Sequence, residues 1–218
     1  MNIPKKTGYS FINKITNFIY NHEKNKNNPS ILEFGVREGR STKMFLDICK
    51  KNNGKLISVD INDYSYLFSD FNWTFIKSKD DNINYISKFF KNSFDIILID
   101  SLHEPNHVKK LMYLYWEHLK INGSMYIDDI SWLPYIKNGW RDHEFTEKIN
   151  HDTFHILLKI LLNNSNNFIL EFNFQESGMA RITKISSNPI NELKHYNVRK
   201  NYIKNFIKKI IYALKKNE

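Results

Sequence analysis

The sequence predicts an α/β domain: a doubly wound, mostly parallel seven-stranded sheet closed by an antiparallel last strand pair. Three observations carry this. Phe94–Asp100 (FDIILID) is apolar enough to be buried on both faces, as the central strand of a parallel sheet must be. Ile31–Phe34 stops at Gly35 and is followed by a helical pattern, giving strand, glycine turn and helix in succession. Phe168–Phe174 and Met179–Ile185 flank Glu176-Ser177-Gly178, the spacing of a hairpin.

The elements follow in order. Phe11, Ile12, Ile15, Phe18 and Ile19 recur at helical spacing, and the polar run Asn21–Asn28 ends that leading helix before Pro29. After the strand at Ile31–Phe34, residues Thr42, Phe45, Leu46 and Cys49 mark one helix face. Lys55–Asp60 is a second strand ending in an acid, Trp73–Ile76 a third and Phe94–Asp100 a fourth. His107–Leu119 has helical spacing, Ile121-Asn122-Gly123 reads as a turn, and Ser124–Asp128 is the fifth strand. Phe145–Leu162 reads as a helix, broken at Asn163–Asn167 ahead of the hairpin. Five β-α repeats followed by an antiparallel pair result. The division is residues 1–30 as leading helix and loop, 31–187 as the main domain, and 188–218 as a basic amphipathic helix.

At 218 residues the chain suits one packed core. Its apolar residues fall in short runs, so no membrane span is expected, and the N-terminal stretch lacks a signal-peptide pattern; a cytoplasmic location follows. A single cysteine, Cys49, excludes a disulfide framework and a multi-cysteine zinc site, and reads as a buried apolar residue. The net charge of +9 is concentrated in the last stretch, where Lys200, Lys204, Lys208 and Lys209 alternate with Ile203, Phe206, Ile207 and Ile210. That helix is a candidate for weak contact with an anionic membrane surface or a nucleic acid, or for solvated packing on its own domain. A homo-oligomer is compatible with the sequence.

Glu33-Phe34-Gly35-Val36-Arg37-Glu38-Gly39-Arg40-Ser41-Thr42 lies between the first strand and its helix, where a right-handed crossover opens a crevice. Gly35 permits a tight turn, Gly39 lets the helix start near the sheet, and the free N–H groups there can meet a carboxylate. Asp60, ending the second strand, suits two ribose hydroxyls, and either Asp80 or Asp81 could take an adenine amino group. The dinucleotide pattern G-x-G-x-x-G is absent.

These residues resemble the first motif of class I S-adenosylmethionine-dependent methyltransferases in its E-x-G-x-x-x-G-x-S form, over roughly Ile31–Ile185. The resemblance implies that Glu33, Gly35, Gly39 and Ser41 surround the methionine end of the methyl donor and that Asp60 holds its ribose. Asp81 and Asp100 are the remaining donor-site expectations.

Asp100 ends the fourth strand in I-D-S-L-H, and Asp128-Asp129 end the fifth in Y-I-D-D-I. On neighbouring strands these three acids converge, and oxygen ligands favour a hard ion such as Mg²⁺, Ca²⁺ or Mn²⁺. An ion there could hold vicinal hydroxyls and lower the pKa of one. The D-S-L-H and I-D-D-I pair resembles the metal-dependent, macrocin-type sugar O-methyltransferases, which implies metal on Asp100, Asp128 and Asp129. It also implies a hydroxyl acceptor on a sugar of a glycan or glycosylated metabolite. That group carries a general base two residues after the first ligand, where this chain has Leu102. His103 is the substitute base and His143, in W-R-D-H, the second candidate. Trp132, Tyr135 and Trp140 follow the fifth strand as candidate sugar-stacking residues. Competing readings are a metal-free methyltransferase acting on nitrogen or a small acid, and a non-catalytic RNA-binding subunit.

Overall fold

The computed structural model describes residues 14–130, 144–175 and 177–191, together with Ile207 and Leu214. The candidates His143, Trp132, Tyr135 and Trp140, and almost all of the basic C-terminal segment, lie outside the described residues.

Helix α1 (Lys14–Glu23) precedes strand β1 (Ser30–Phe34), and α2 (Arg40–Asn52) leads to β2 (Lys55–Asp60) and β3 (Trp73–Lys77). A short α3 (Ile83–Ile86), prolonged by a 3₁₀ turn at Ser87–Phe89, leads to β4 (Phe94–Ile99). Then come α4 (Pro105–Tyr115), β5 (Leu119–Asp128), α5 (Glu144–Asn164), β6 (Phe168–Asn173) and β7 (Met179–Lys184). The seven strands form one sheet in the order β3-β2-β1-β4-β5-β7-β6, parallel from β3 through β5, with β7 antiparallel to β5 and to β6. The predicted fold class is therefore the observed one.

Strand alternation divides the core between the two faces. Leu32, Phe34, Ile97, Ile99, Met125 and Ile127 point to the side covered by α4 and α5. Ile31, Ile96, Leu98 and Tyr126 point to the side covered by α1 and α2, where they meet Ile19, Phe45 and Cys49. Each large side chain buried in these layers contributes about 1.5–3 kcal/mol. The leading helix is thus part of the core, and the Glu23 carboxylate at its end is buried, accepting the Tyr126 hydroxyl at 2.7 Å.

Three expectations need correction. The chain between β2 and β3 carries no helix among its described residues, so the regular five-repeat pattern fails there. Asp63 and Asp70 instead accept the backbone N–H groups of Ser65 and Asn72 at 3.0 Å, bonds that favour turns over a helix. Helix α4 stops at Tyr115 instead of reaching Leu119, and β5 starts at Leu119 instead of Ser124. The reason is Lys184. Its ammonium is buried and donates to the carbonyls of Trp116 and Leu119, both at 2.8 Å, closing the helix end from across the sheet. A register shift opposite Phe94–Ile96, with Asn122 at φ 62°, absorbs the predicted turn within the strand.

Removing the buried ammonium leaves two carbonyls without their donor, so Lys184→Met is expected to destabilise the fold by about 2–3 kcal/mol. Urea unfolding with an unchanged m value checks this; a loss below about 0.5 kcal/mol would mean that the helix end is held by other contacts.

Candidate functional site

A cleft of about 1080 Å³ opens at the carboxyl ends of β1, β2, β4 and β5. This is where a doubly wound sheet leaves room for a ligand. Its walls include Gly35, Ser41, Asp60, Asp80, Asp81, Asp100, His103, Asp128 and Asp129.

The first wall is the turn from β1 into α2. Gly35 has φ +92°, and a Cβ there would collide with the backbone carbonyl oxygen of Asp100. It is glycine because β1 and β4 close up at their ends. Gly39, at φ +72°, caps α2 and packs against the Phe68 ring, so it does not line the cleft. Asp60 braces the same turn: Oδ2 accepts the Val36 N–H at 2.8 Å and Oδ1 the Asn62 N–H at 2.9 Å. Each oxygen keeps a second lone pair that could meet a ligand hydroxyl.

Glu33 lies beneath this turn, fully buried. Its Oε2 accepts the hydroxyls of Thr42 at 2.8 Å and Ser58 at 2.6 Å, while Oε1 has no hydrogen-bond partner. Burial pushes its carboxyl up to about 7, opposed by the Ser41, Ser58 and Thr42 hydroxyls. An orphaned buried acceptor beside an open cleft is what a donor group on a bound molecule would satisfy.

The end of β3 supplies a contact absent from the sequence reading. Asp80 accepts the Ser101 hydroxyl and lies 2.9 Å from His107 Nε2, tying β3 to the residue after Asp100 and to α4. The Tyr115 hydroxyl donates to its backbone carbonyl at 2.7 Å. Asp81 is instead paired with Lys110 at 2.7 Å, which holds its carboxyl below the usual range. Ser101 and His107 have no signal in sequence, because their shared partner is more than 20 residues away, in the turn after β3. Arg37 was also missed; it lines the cleft at φ +47°, a conformation uncommon outside glycine.

The second wall is acidic. Ile99 is in register with Ile127 on parallel neighbours, so Asp100 and Asp128 emerge side by side. Burial raises both carboxyls above the ordinary range; the neighbouring acids add to the rise, Asp128 and Asp129 for Asp100 and Asp129 for Asp128. The Ser177 hydroxyl donates to Asp128 at 3.2 Å. Asp129 turns away at φ +59°, and His103 Nε2 lies 3.4 Å from it and 3.7 Å from Asp100. Among the described residues, no three His, Cys, Asp or Glu side chains are grouped so as to hold a metal ion as they stand. Three of the acids expected to converge do share the cleft; the chelate itself is not formed. Cys49 takes no part, since burial pushes its thiol up to about 12.

Residues 32–130 match the family described as a methyltransferase domain. The MycE methyltransferase of the mycinamycin biosynthetic pathway, solved with Mg, SAH and mycinamycin VI, superposes with a TM-score of 0.60 at 18% identity, over 87% of this chain and 54% of that one. The chain therefore spans about half the length of MycE. A provisional caffeoyl-CoA O-methyltransferase from Staphylococcus aureus gives 0.61 at 17% identity, over 78% of this chain and 83% of that one. The SAH-bound Podospora anserina methyltransferase PaMTH1 gives 0.59 at 12% identity, over 79% and 78% of the two chains. No curated protein matches the sequence. Residues 32–130 are thus similar to a methyltransferase domain, and the fold is the one these solved methyltransferases share. No helix among the described residues is long and apolar enough to cross a membrane.

Carboxyls raised by folding keep protons that the unfolded chain would release. The stability associated with them is therefore full below about pH 4 and falls as pH rises through their folded values, which for Glu33 is about 7. Asp128→Asn is expected to raise the Tm of the ligand-free protein at pH 8, at roughly 2–4 °C per kcal/mol of repulsion relieved, and to give little at pH 4. Calorimetry across that range checks it; an equal shift at both pH values would contradict the electrostatic origin.

Proposed function

We propose that this chain moves the methyl group of S-adenosylmethionine to a hydroxyl, on a sugar of a glycan or glycosylated metabolite, with a divalent ion at the acidic wall. The observation that carries the reading is one cleft with two chemically different walls. A glycine turn braced by Asp60 stands on one side, and Asp100, Asp128, Asp129 and His103 stand on the other.

The donor side divides the work among this chain's own groups. Asp60 accepts the ribose hydroxyls through the lone pairs left by Val36 and Asn62. Ser41 and the N–H groups opening α2 would receive the methionine carboxylate, and the unpartnered oxygen of Glu33 would suit its ammonium. Asp80 is favoured over Asp81 for the adenine amino group: Ser101 and His107 orient its carboxylate, whereas Lys110 occupies that of Asp81.

On the acceptor side Asp100, Asp128 and Asp129 offer oxygen donors alone, the chemistry that Mg²⁺, Ca²⁺ or Mn²⁺ prefers, and would have to draw together to hold such an ion. The raised carboxyls of Asp100 and Asp128 mark an anionic cluster in need of a cation. When bound, such an ion would lower the pKa of an acceptor hydroxyl. His103 would take the hydroxyl proton, with Asp129 beside its ring. A metal-free methyltransferase is the second reading. It is favoured by the same pairing, because the His103 ring itself stands beside both Asp100 and Asp129.

Titration calorimetry with S-adenosylhomocysteine is expected to give one site per chain, weakened at least about tenfold by Asp60→Ala. No heat at millimolar ligand would defeat the donor assignment. With labelled donor and a panel of glycosides bearing vicinal hydroxyls, chelator or Asp128→Ala is expected to cut turnover by about 100-fold or more while leaving donor binding intact. Turnover that survives both would select the metal-free reading.

A further inference from the structure

Given the donor reading above, we infer that His107 is a positioning residue for the donor's base: by fixing the Asp80 carboxylate from α4, it makes the pocket select adenine over a purine with oxygen in place of the amino group. Strand β3 stands at the sheet edge, separated from β4 by β2 and β1. The Ser78 N–H donates to the Asp60 carbonyl at 2.9 Å, and beyond it the chain leaves the sheet. Residues 79–82 form a turn, with the Asn82 N–H on the Lys79 carbonyl at 3.2 Å. No strand ladder fixes the side chains of such a turn, so a neighbouring element must do so.

Helix α4 supplies the hold. His107, in its first turn, places Nε2 2.9 Å from Oδ2 and 3.0 Å from Oδ1 of Asp80. Lys110, one turn along, takes Asp81 at 2.7 Å and so keeps the adjoining acid occupied. At the far end of the helix the Tyr115 hydroxyl donates to the main-chain carbonyl of Asp80 at 2.7 Å. The Tyr115 ring is buried against Phe34, with centroids 4.6 Å apart, which anchors this hold in the core.

The two oxygens of Asp80 are not equivalent. Oδ2 accepts the Ser101 hydroxyl and the nearer share of the His107 N–H, whereas Oδ1 has the longer share alone and keeps more capacity for a ligand. Asp80 can only accept, so Nε2 carries the hydrogen whatever the charge of the ring. An acceptor-only group on the cleft wall takes an N–H from an exocyclic amino group and opposes the lone pairs of a carbonyl oxygen. A carboxylate free to rotate would swing aside from that oxygen and admit water. Selectivity therefore depends on the hold from α4 as well as on the acid.

Titration calorimetry of the full chain with S-adenosylhomocysteine and with S-inosylhomocysteine, in which oxygen replaces the amino group, reads selectivity as a ratio of affinities. The unaltered chain is expected to favour the amino ligand by about 100-fold or more. His107→Ala is expected to shrink that ratio at least about tenfold, and so is His107→Leu, which fills more of the space without a donor should alanine disturb α4. His107→Gln still presents an N–H and is expected to keep the ratio within about threefold of the unaltered chain. A residue that merely supports the fold would weaken both ligands alike and leave the ratio where it was. An unchanged ratio in both His107→Ala and His107→Leu, or equal binding of the two ligands by the unaltered chain, would overturn the role of His107 while sparing the donor reading. No heat with either ligand would defeat both.

Discussion

The missing side chain at Gly35 is the constraint on which the whole cleft depends. There β1 turns at φ +92° directly against the backbone carbonyl of Asp100, and any Cβ would force the two strand ends apart. The donor turn follows Gly35 and the acidic wall begins at Asp100. One close approach therefore sets the spacing between both halves of the site. Asp60 then keeps the turn in shape from β2, through the Val36 N–H.

Parallel register does the rest. With Phe34 paired to Ile99 and Ile99 to Ile127, the residues following β1, β4 and β5 are delivered to one edge of the sheet at one height. Placing acids at two such neighbouring positions is costly in a ligand-free protein, as the upward displacement of the Asp100 and Asp128 carboxyls records. Active sites often retain local strain of this kind because ligand binding relieves it.

Much of this was legible before any coordinates. Buried parallel strands announce themselves as unbroken apolar runs, and FDIILID gives β4 nearly to the residue. The hairpin at the end follows from alternation interrupted by glycine. Strand-end acids were readable for the same reason, since an acid closing an apolar run can only lie at the rim. What escaped depends on partners distant in sequence. Lys184 ends α4 from β7, and no local pattern marks a lysine as buried. The loop after β2 owes its lack of helix to Asp63 and Asp70 capturing backbone N–H groups, a competition that helical spacing does not report. The Phe68 ring that fills the space beside Gly39 comes from nearly 30 residues further along, and no local pattern announces it.

The latch between Ser101 and Asp80 bears on how the two walls respond to occupancy. Ser101 adjoins Asp100 through one peptide bond, and Asp80 belongs to the opposite end of the crevice. Whatever draws the Asp80 carboxylate toward itself must loosen or carry along that hydroxyl, and with it the main chain beneath the acids. The two walls of the cleft are therefore joined by one hydrogen bond between two side chains.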